Sequence, residues 1–270
     1  MNKSSSIRAI FIHHSTGGDL IKHGNVRHLF REATPNIEFW DHGYDPEKIK
    51  GYLHLTSQFQ LHIYGLRDES GQLLSRSFHI PNHNTDPDGL SKLFSQSVTK
   101  PPKNALSEIL EFDTIIFKSC FPTTRISSDH QLKAYQTYYH IIRDTIDKYP
   151  NKLFIPMTPP PLRASMTNSE MADRARQYAN WLMSEEYHQN RANLIPFNYF
   201  DMLATPSNSK EPNVLRLEFC ALFPFDSHPN AVAHRTIAPK YVDFIVGAIN
   251  KFFANTPNRG NPNEPVSILA

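Results

Sequence analysis

Short apolar runs rich in β-branched residues recur along the first 200 positions of the chain. They lie at 7–14 (IRAIFIHH), 37–41 (IEFWD), 113–120 (DTIIFKSC) and 152–158 (KLFIPMT), with a weaker fifth run at 193–199 (NLIPFNY). Runs of this length are typical of strands that are buried on both faces of a parallel sheet. The pattern therefore predicts a central, mostly parallel five-stranded sheet.

Longer amphipathic segments separate these runs. Apolar residues recur at helical spacing in 132–149, 169–187 and 231–253, where Ser169 is placed to cap the second helix and Pro239 predicts a kink or a break in the third. Strands that alternate with helices of this length are joined by right-handed crossovers. The pattern predicts an α/β protein, folded as a three-layer α/β/α sandwich.

One long segment, 44–112, interrupts the alternation and predicts an insertion of hairpin and loops beside the site. Within it, 61–80 reads as a hairpin that turns at Glu69, Ser70 and Gly71, and 102–112 reads as a helix that leads into the third strand. The last residues, 255–270, are rich in Asn and Pro and predict a flexible tail. We therefore expect a single domain over 1–254.

Composition narrows the class of protein. Hydrophobic residues make up 39% of the chain and charged residues 20%, as in globular proteins, and the net charge of +2 favours neither a nucleic acid nor a membrane surface as partner. No apolar run approaches the ~18 residues of a membrane helix, and the N-terminus lacks the pattern of a signal peptide. We expect a cytoplasmic protein, or a secreted one if a leader has been trimmed. Two cysteines are too few for a disulfide framework.

The first strand runs into FIHHSTGGDL (11–20), which places Ser15 at the carboxyl end of a parallel strand, where α/β sheets bind ligands. Gly17 and Gly18 permit a tight turn, and the amides of the following helix would face developing negative charge. A hydroxyl needs a base within hydrogen-bond reach to act as a nucleophile. The alternative is that Ser15 or Thr16 only caps the helix.

A second polar cluster, FPFDSHPNAVAH (223–234), precedes the last helix. Pro229 restricts the backbone, and Asn230 or Pro229 is placed to start the helix, so His228 lies on a short rigid loop. An imidazole held in this way suits a general base, and Asp226 is placed to orient it. The two clusters together predict a Ser-His-Asp arrangement.

This combination resembles the SGNH hydrolases, also called GDSL-type lipases and esterases, over most of residues 7–253. The resemblance implies a flavodoxin-like sandwich, Ser15 as nucleophile, Gly43 in WDHGYDP as an oxyanion-hole amide, and Asp226 and His228 as the acid–base pair. The block that supplies an asparagine in the family is FKSCFPTTRI (117–126) here, which has none. The available donors are Lys118, Ser119, Cys120 and Thr123, with backbone amides as the alternative, and Ser119 or Cys120 is the expected donor beside the amide of Ser15. Asp226 is two residues before His228 where the family has three, which leaves a Ser-His dyad as the alternative.

Two other chemistries compete for these residues. Cys120 is a second nucleophile or, as we favour, a thiol that lines the pocket. His13, His14, Asp226 and His228 are zinc-ligand types, but adjacent strand residues point to opposite faces, so His13 and His14 do not share an ion. NTDPDG (84–89) matches the start of a calcium loop, yet its twelfth position is Ser95, and we read it as a turn before the helix at 89–96.

The expected function is therefore a serine esterase without metal or cofactor. It is expected to remove a short acyl group such as acetyl, with carbohydrate esters or other small-molecule esters as the substrate class. The alternatives are a non-catalytic protein of the same fold that binds a sugar or peptide, and, more remotely, a metal-dependent hydrolase.

Overall fold

The computed structural model describes residues 6–44, 64–75, 78–80 and 86–255. In this part of the chain, five strands form one mixed, mostly parallel sheet with the order β3-β2-β1-β4-β5. Only β3 runs antiparallel to its neighbour β2. The strands are β1 (Ile7–His13), β2 (Ile37–Gly43), β3 (Gly65–Arg67), β4 (Thr114–Lys118) and β5 (Leu153–Met157).

Helices cover both faces of the sheet. The described residues form nine α-helices: α1 (Ser15–His23), α2 (Val26–Ala33), α3 (Pro87–Phe94), α4 (Ala105–Ile109), α5 (Asp129–Ile146), α6 (Ser169–Leu182), α7 (Glu185–His188), α8 (Tyr199–Leu203) and α9 (Ala231–Ala254). Helices α1, α2 and α9 pack together, as do α3, α5 and α6. The α/β prediction is confirmed, and the arrangement is consistent with a three-layer sandwich.

The central strand β1 explains why the core has two halves. Residues 9–13 of this strand are buried, and their side chains alternate in direction, as strand geometry requires. Ile10 and Ile12 join the core beneath α3 to α6, whereas Ala9 and Phe11 join the core beneath α1, α2 and α9. A continuous apolar run is thus needed because both faces of the strand are covered.

Residues 193–199 do not form the predicted fifth strand. Leu194 and Phe197 make only isolated parallel bridges to β5. The fifth strand of the sheet is instead the antiparallel β3, at the opposite edge. Pro156 lies in β5 between the two bridges, and it has no N–H to donate to the facing segment. This loss of a donor explains why the pairing stays discontinuous.

Several predicted boundaries also change. Asn168, not Ser169, caps α6 by accepting a hydrogen bond from the N–H of Met171. Pro239 lies inside α9 without splitting it, and the helix predicted over 102–112 is the short α4. The segment 169–187 forms two helices, α6 and α7.

The predicted hairpin is present in the described part of 61–80. Arg67 pairs antiparallel with Leu73, and the Asp68 carboxylate accepts hydrogen bonds from the N–H groups of Ser70 and Gln72. Gly71 has a φ of +89°, a conformation that L side chains avoid, so glycine is required at this turn. Residues 45–63 and 81–85 of the predicted insertion, including Asn84, and 256–270 of the predicted tail lie outside the described residues.

Gly17 and Gly18 lie inside α1 rather than in the predicted turn. At Gly17 the reason for glycine is a close approach between helix and strand. A Cβ at this position would lie 2.4 Å from the Cβ and 2.9 Å from the Cγ of His13. Gly17 thus sets the distance at which the first turn of α1 passes the end of β1.

We therefore expect Gly17→Ala to lower the free energy of unfolding by about 1–2 kcal/mol, because overpacking outweighs the better helix propensity of alanine. Denaturant unfolding monitored by circular dichroism measures this change. Gly247→Ala in α9 is the matched control, because no atom lies within 4 Å of an added Cβ there, and it should be neutral or stabilising. Equal stability of the two variants would contradict the steric explanation.

Candidate active site

Ser15 is the first residue of α1, directly beyond the end of β1. His14 is the N-cap residue of α1 and has an extended backbone conformation. The side chains of Ser15 and Thr16 do not cap the helix, so the capping alternative is wrong. Among the described residues, no acceptor takes the N–H of Ser15 or of Thr16, whereas the N–H groups of Gly17 and Gly18 donate to the carbonyl of His14. Ser15 thus presents a hydroxyl beside open amides at a helix N-terminus.

His228 lies on the loop before α9, and this loop is held at both ends. Asn230 caps α9 as predicted, since its side chain accepts from the N–H groups of Val232 and Ala233. The same side chain donates to the carbonyls of Glu218 and Cys220 on the incoming segment. The histidine is therefore placed by a rigid turn.

Arg163 fixes the same loop from a distance in sequence. Its guanidinium donates to the carbonyls of Ala221 at 3.3 Å and Phe223 at 2.6 Å, and its backbone N–H donates to the Ser227 hydroxyl at 3.2 Å. Sequence reasoning did not identify Arg163. Its place two residues after the proline run that follows β5 was the only signal in the sequence.

Ser15, His228 and Asp226 form a continuous hydrogen-bonded chain. His228 Nε2 lies 2.8 Å from Ser15 Oγ, and His228 Nδ1 lies 2.5 Å from Asp226 Oδ1. Asp226 Oδ1 also accepts the backbone N–H of His228 at 2.8 Å, so the shorter spacing still lets the carboxylate reach the ring. The Phe121 ring meets the His228 ring edge-on, with centroids 4.7 Å apart. A hydroxyl, an imidazole and a carboxylate in this order are able to activate the hydroxyl as a nucleophile.

These contacts favour the ionised form of the Asp226 carboxyl group. Partial burial raises the pKa of its carboxyl group, but the backbone and ring hydrogen bonds from His228 outweigh burial, so the net pKa is lowered. A carboxylate that stays ionised holds the ring in the tautomer with a proton on Nδ1, which leaves Nε2 free to accept the proton of Ser15.

The residues predicted for the oxyanion hole differ in how they lie relative to Ser15. Gly43 ends β2 in register with His13, and the N–H of the next residue donates to the His13 carbonyl. Cys120 Sγ lies 3.8 Å from Ser15 Oγ. Ser119 does not approach Ser15; its hydroxyl is buried towards Tyr139, as expected for adjacent residues that leave a strand on opposite sides. The structure therefore brings Cys120 to the serine and not Ser119.

Lys118, one of the donors that the sequence offers in the segment at 117–126, lies beneath the site. The ammonium group is fully buried and donates to the Thr16 hydroxyl and, at 3.4 Å, to the Ser119 carbonyl. Burial lowers the pKa of Lys118. Burial alone would raise the pKa of the Cys120 thiol, but the hydrogen bond from His14 and the positive charge of Lys118 lower it to about 6.

The two adjacent histidines point in different directions, as predicted. His13 is buried, with Nε2 3.0 Å from Asp41 Oδ2 and Nδ1 3.0 Å from the His14 carbonyl, and Arg27 pairs with Asp41. His14 is half-buried, and its Nδ1 lies 3.3 Å from Ser15 Oγ. No group of three or more His, Cys, Asp or Glu side chains within the described ranges is arranged to hold a metal ion.

The chain matches no family model and no curated protein. Among solved structures, it is similar to the N-terminal part, containing a phosphatase domain, of protein BF1531 from Bacteroides fragilis, at 11% identity and a TM-score of 0.48. It is also similar to TubZ of the Clostridium botulinum phage c-st, at 12% identity and a TM-score of 0.38. Each match covers 90% of this chain but only 52% and 59% of the respective structures, so the chain spans little more than half of either. None of the described helices is long and apolar enough to cross a membrane.

Proposed function

We propose that this chain is a serine esterase of the SGNH type that acts through an acyl-enzyme intermediate. The observation that carries the proposal is the contact chain from Asp226 through His228 to Ser15, with both ring nitrogens of His228 engaged. The three residues come from opposite ends of the sequence, and no packing requirement explains their alignment at one exposed edge. Such a chain is what nucleophilic catalysis by serine requires.

The position of the triad in the sheet supports the same proposal. Without the antiparallel β3, the parallel strands have the order β2-β1-β4-β5, which corresponds to the flavodoxin-like order and to the sandwich of the SGNH hydrolases. In such sheets the crossover direction reverses between β1 and β4, and ligands bind beyond the carboxyl ends of these strands. Ser15 follows β1 and Cys120 follows β4.

In the proposed mechanism, His228 Nε2 removes the Ser15 proton as Oγ attacks the ester carbonyl. The oxyanion of the tetrahedral intermediate accepts hydrogen bonds from the amides of Ser15 and Gly43. The alcohol leaves with the proton from His228, and water repeats both steps on the acyl-enzyme. General base and oxyanion effects each contribute about 10²-fold to 10⁴-fold in other enzymes.

We propose a short acyl group, such as acetyl, on a polar alcohol such as a carbohydrate. The side chains that form hydrogen bonds with Ser15 and its neighbour Thr16 support this choice, because within the described residues they are the polar or titratable groups of His14, Lys118, Cys120 and His228. The reaction requires no cofactor, since the nucleophile, the base and the open amides all belong to the chain.

The proposal predicts that the purified protein hydrolyses 4-nitrophenyl acetate and that a fluorophosphonate stops the reaction after one label per chain. Peptide mass spectrometry should locate the label on Ser15, because only a hydroxyl with a base in contact attacks the phosphorus. A chelator should leave the rate unchanged. Absence of both turnover and labelling would contradict the esterase proposal and favour a non-catalytic binding protein of the same fold.

A further inference from the structure

Ser15 Oγ lies between two imidazole rings. His228 Nε2 approaches it at 2.8 Å, and His14 Nδ1 approaches it at 3.3 Å. Only one base is needed to remove the single proton of the hydroxyl, and the ring that Asp226 orients is suited to that task. The His14 ring therefore has no role in the proton transfers of the proposed mechanism.

Hydrogen bonds fix the backbone of His14, from which the ring projects. Its carbonyl accepts hydrogen bonds from the N–H of Gly17 at 2.9 Å and of Gly18 at 3.2 Å, and His13 Nδ1 lies 3.0 Å from the same oxygen. His13 in turn contacts the buried Asp41. A donor that is fixed before the reaction stabilises developing charge without a cost in reorganisation.

Within the described residues, the segment after β4 brings no amide side chain to the oxyanion. That segment contains no asparagine, and Ser119 faces Tyr139 rather than Ser15. The oxyanion is the oxygen bonded to the carbon that Oγ attacks, so a side-chain donor close to Oγ is able to reach it. His14 Nδ1 is such a nitrogen, 3.3 Å from Oγ.

On the basis of the proposed esterase function, we infer that His14 is a catalytic residue whose Nδ1–H donates to the oxyanion of the tetrahedral intermediate. As Ser15 Oγ forms its bond to the carbonyl carbon, the π electrons move to the carbonyl oxygen and the Ser15 proton moves to His228. The oxyanion then accepts a hydrogen bond from His14 in addition to those from the amides of Ser15 and Gly43. When it collapses, the bond to the alcohol breaks, the alcohol takes the proton from His228, and His14 keeps its own.

Cys120 is less suited to this role than His14. Its Sγ lies 3.8 Å from Ser15 Oγ, whereas His14 Nδ1 lies at 3.3 Å, and a thiol is only a weak hydrogen-bond donor.

The test compares His14→Ala with His14→Asn in the full chain. The amide nitrogen of asparagine is as many bonds from Cβ as Nδ1 is, so His14→Asn keeps a neutral donor and removes the base. We expect His14→Ala to lower kcat for 4-nitrophenyl acetate by about 10²-fold to 10³-fold with little change in KM, and His14→Asn to stay within about tenfold of wild type. The rate constant for fluorophosphonate labelling should follow the same order. Thermal unfolding of each variant verifies that it is folded.

Three outcomes separate the possibilities. Wild-type kcat in His14→Ala, with Ser15→Ala inactive, would overturn the role of His14 and leave the esterase proposal standing. A loss in His14→Asn as large as that in His14→Ala would indicate a base or a charge instead of a donor, and would also overturn it. A wild-type protein that neither turns over nor labels would contradict the esterase function itself. The exposed His130→Ala serves as the control and should match wild type.

Discussion

Replacing Ser15 by alanine is expected to lower kcat for ester hydrolysis by about 10⁴-fold to 10⁶-fold, as loss of the nucleophile does in other serine hydrolases. The physical reason is that Ser15 Oγ is the hydroxyl in contact with His228 Nε2, at 2.8 Å. The open amides at the start of α1 remain in the variant, so a small rate above that of the buffer should persist. Steady-state kinetics with 4-nitrophenyl acetate, corrected for the buffer rate, measures the loss.

Ser97→Ala is the matched control, because Ser97 is an exposed serine outside the site. It should retain wild-type kcat and the single fluorophosphonate label. A Ser15→Ala protein that is folded and still turns over at the wild-type rate would exclude Ser15 as the nucleophile. In that case Cys120, 3.8 Å away, would become the residue to replace next.

His228→Ala is the second variant for which we expect a loss of about 10⁴-fold to 10⁶-fold in kcat, since without the base the serine hydroxyl is a weak nucleophile. Asp226→Asn should lose less, about 10⁴-fold, because it disturbs the tautomer and orientation of the ring but leaves the ring in place. The double variant Ser15→Ala, His228→Ala should be no slower than either single variant, because the two residues act as a unit.

Added imidazole provides the control for the His228 prediction. It should restore part of the activity of His228→Ala, because the deleted ring leaves space beside Ser15, and it should restore none to Ser15→Ala. Losses that simply add in the double variant, or an Asp226→Asn protein with wild-type kcat, would contradict a triad. The second result alone would favour the dyad.

Local patterns in the sequence were sufficient for most of the sheet and for the larger helices. β1, β2, β4 and β5 begin and end within a few residues of their predicted positions, because a strand covered on both faces must be continuously apolar. The run at 193–199 has the same composition but fails as a strand. Whether this run pairs depends on the backbone N–H donors of β5 and not on its own residues. Pro156 in β5 has no N–H to donate.

Ser15 and His228 were identifiable for the same local reason: each lies in a polar cluster directly beyond an apolar segment. Their meeting was predicted from the two polar clusters and from the family resemblance, and the distance of 2.8 Å comes from the packing of α1 and α9 on one face of the sheet. Residue spacing alone could not decide whether the Asp226 carboxylate contacts the His228 ring. This contact depends on a backbone turn that lets one carboxylate oxygen accept both the N–H and the ring of His228.

The sequence by itself determined the fold class, the order of the elements and the residue types at the two ends of the site, since these follow from hydrophobic periodicity and turn chemistry over short stretches. Only the tertiary structure decided which neighbours those residues have. It turned Cys120 towards Ser15 and Ser119 away, brought Arg163 to the His228 loop, and placed the His14 ring against the nucleophile. Side-chain direction at the end of a strand and contacts between segments more than 50 residues apart depend on packing in three dimensions, about which local periodicity carries no information.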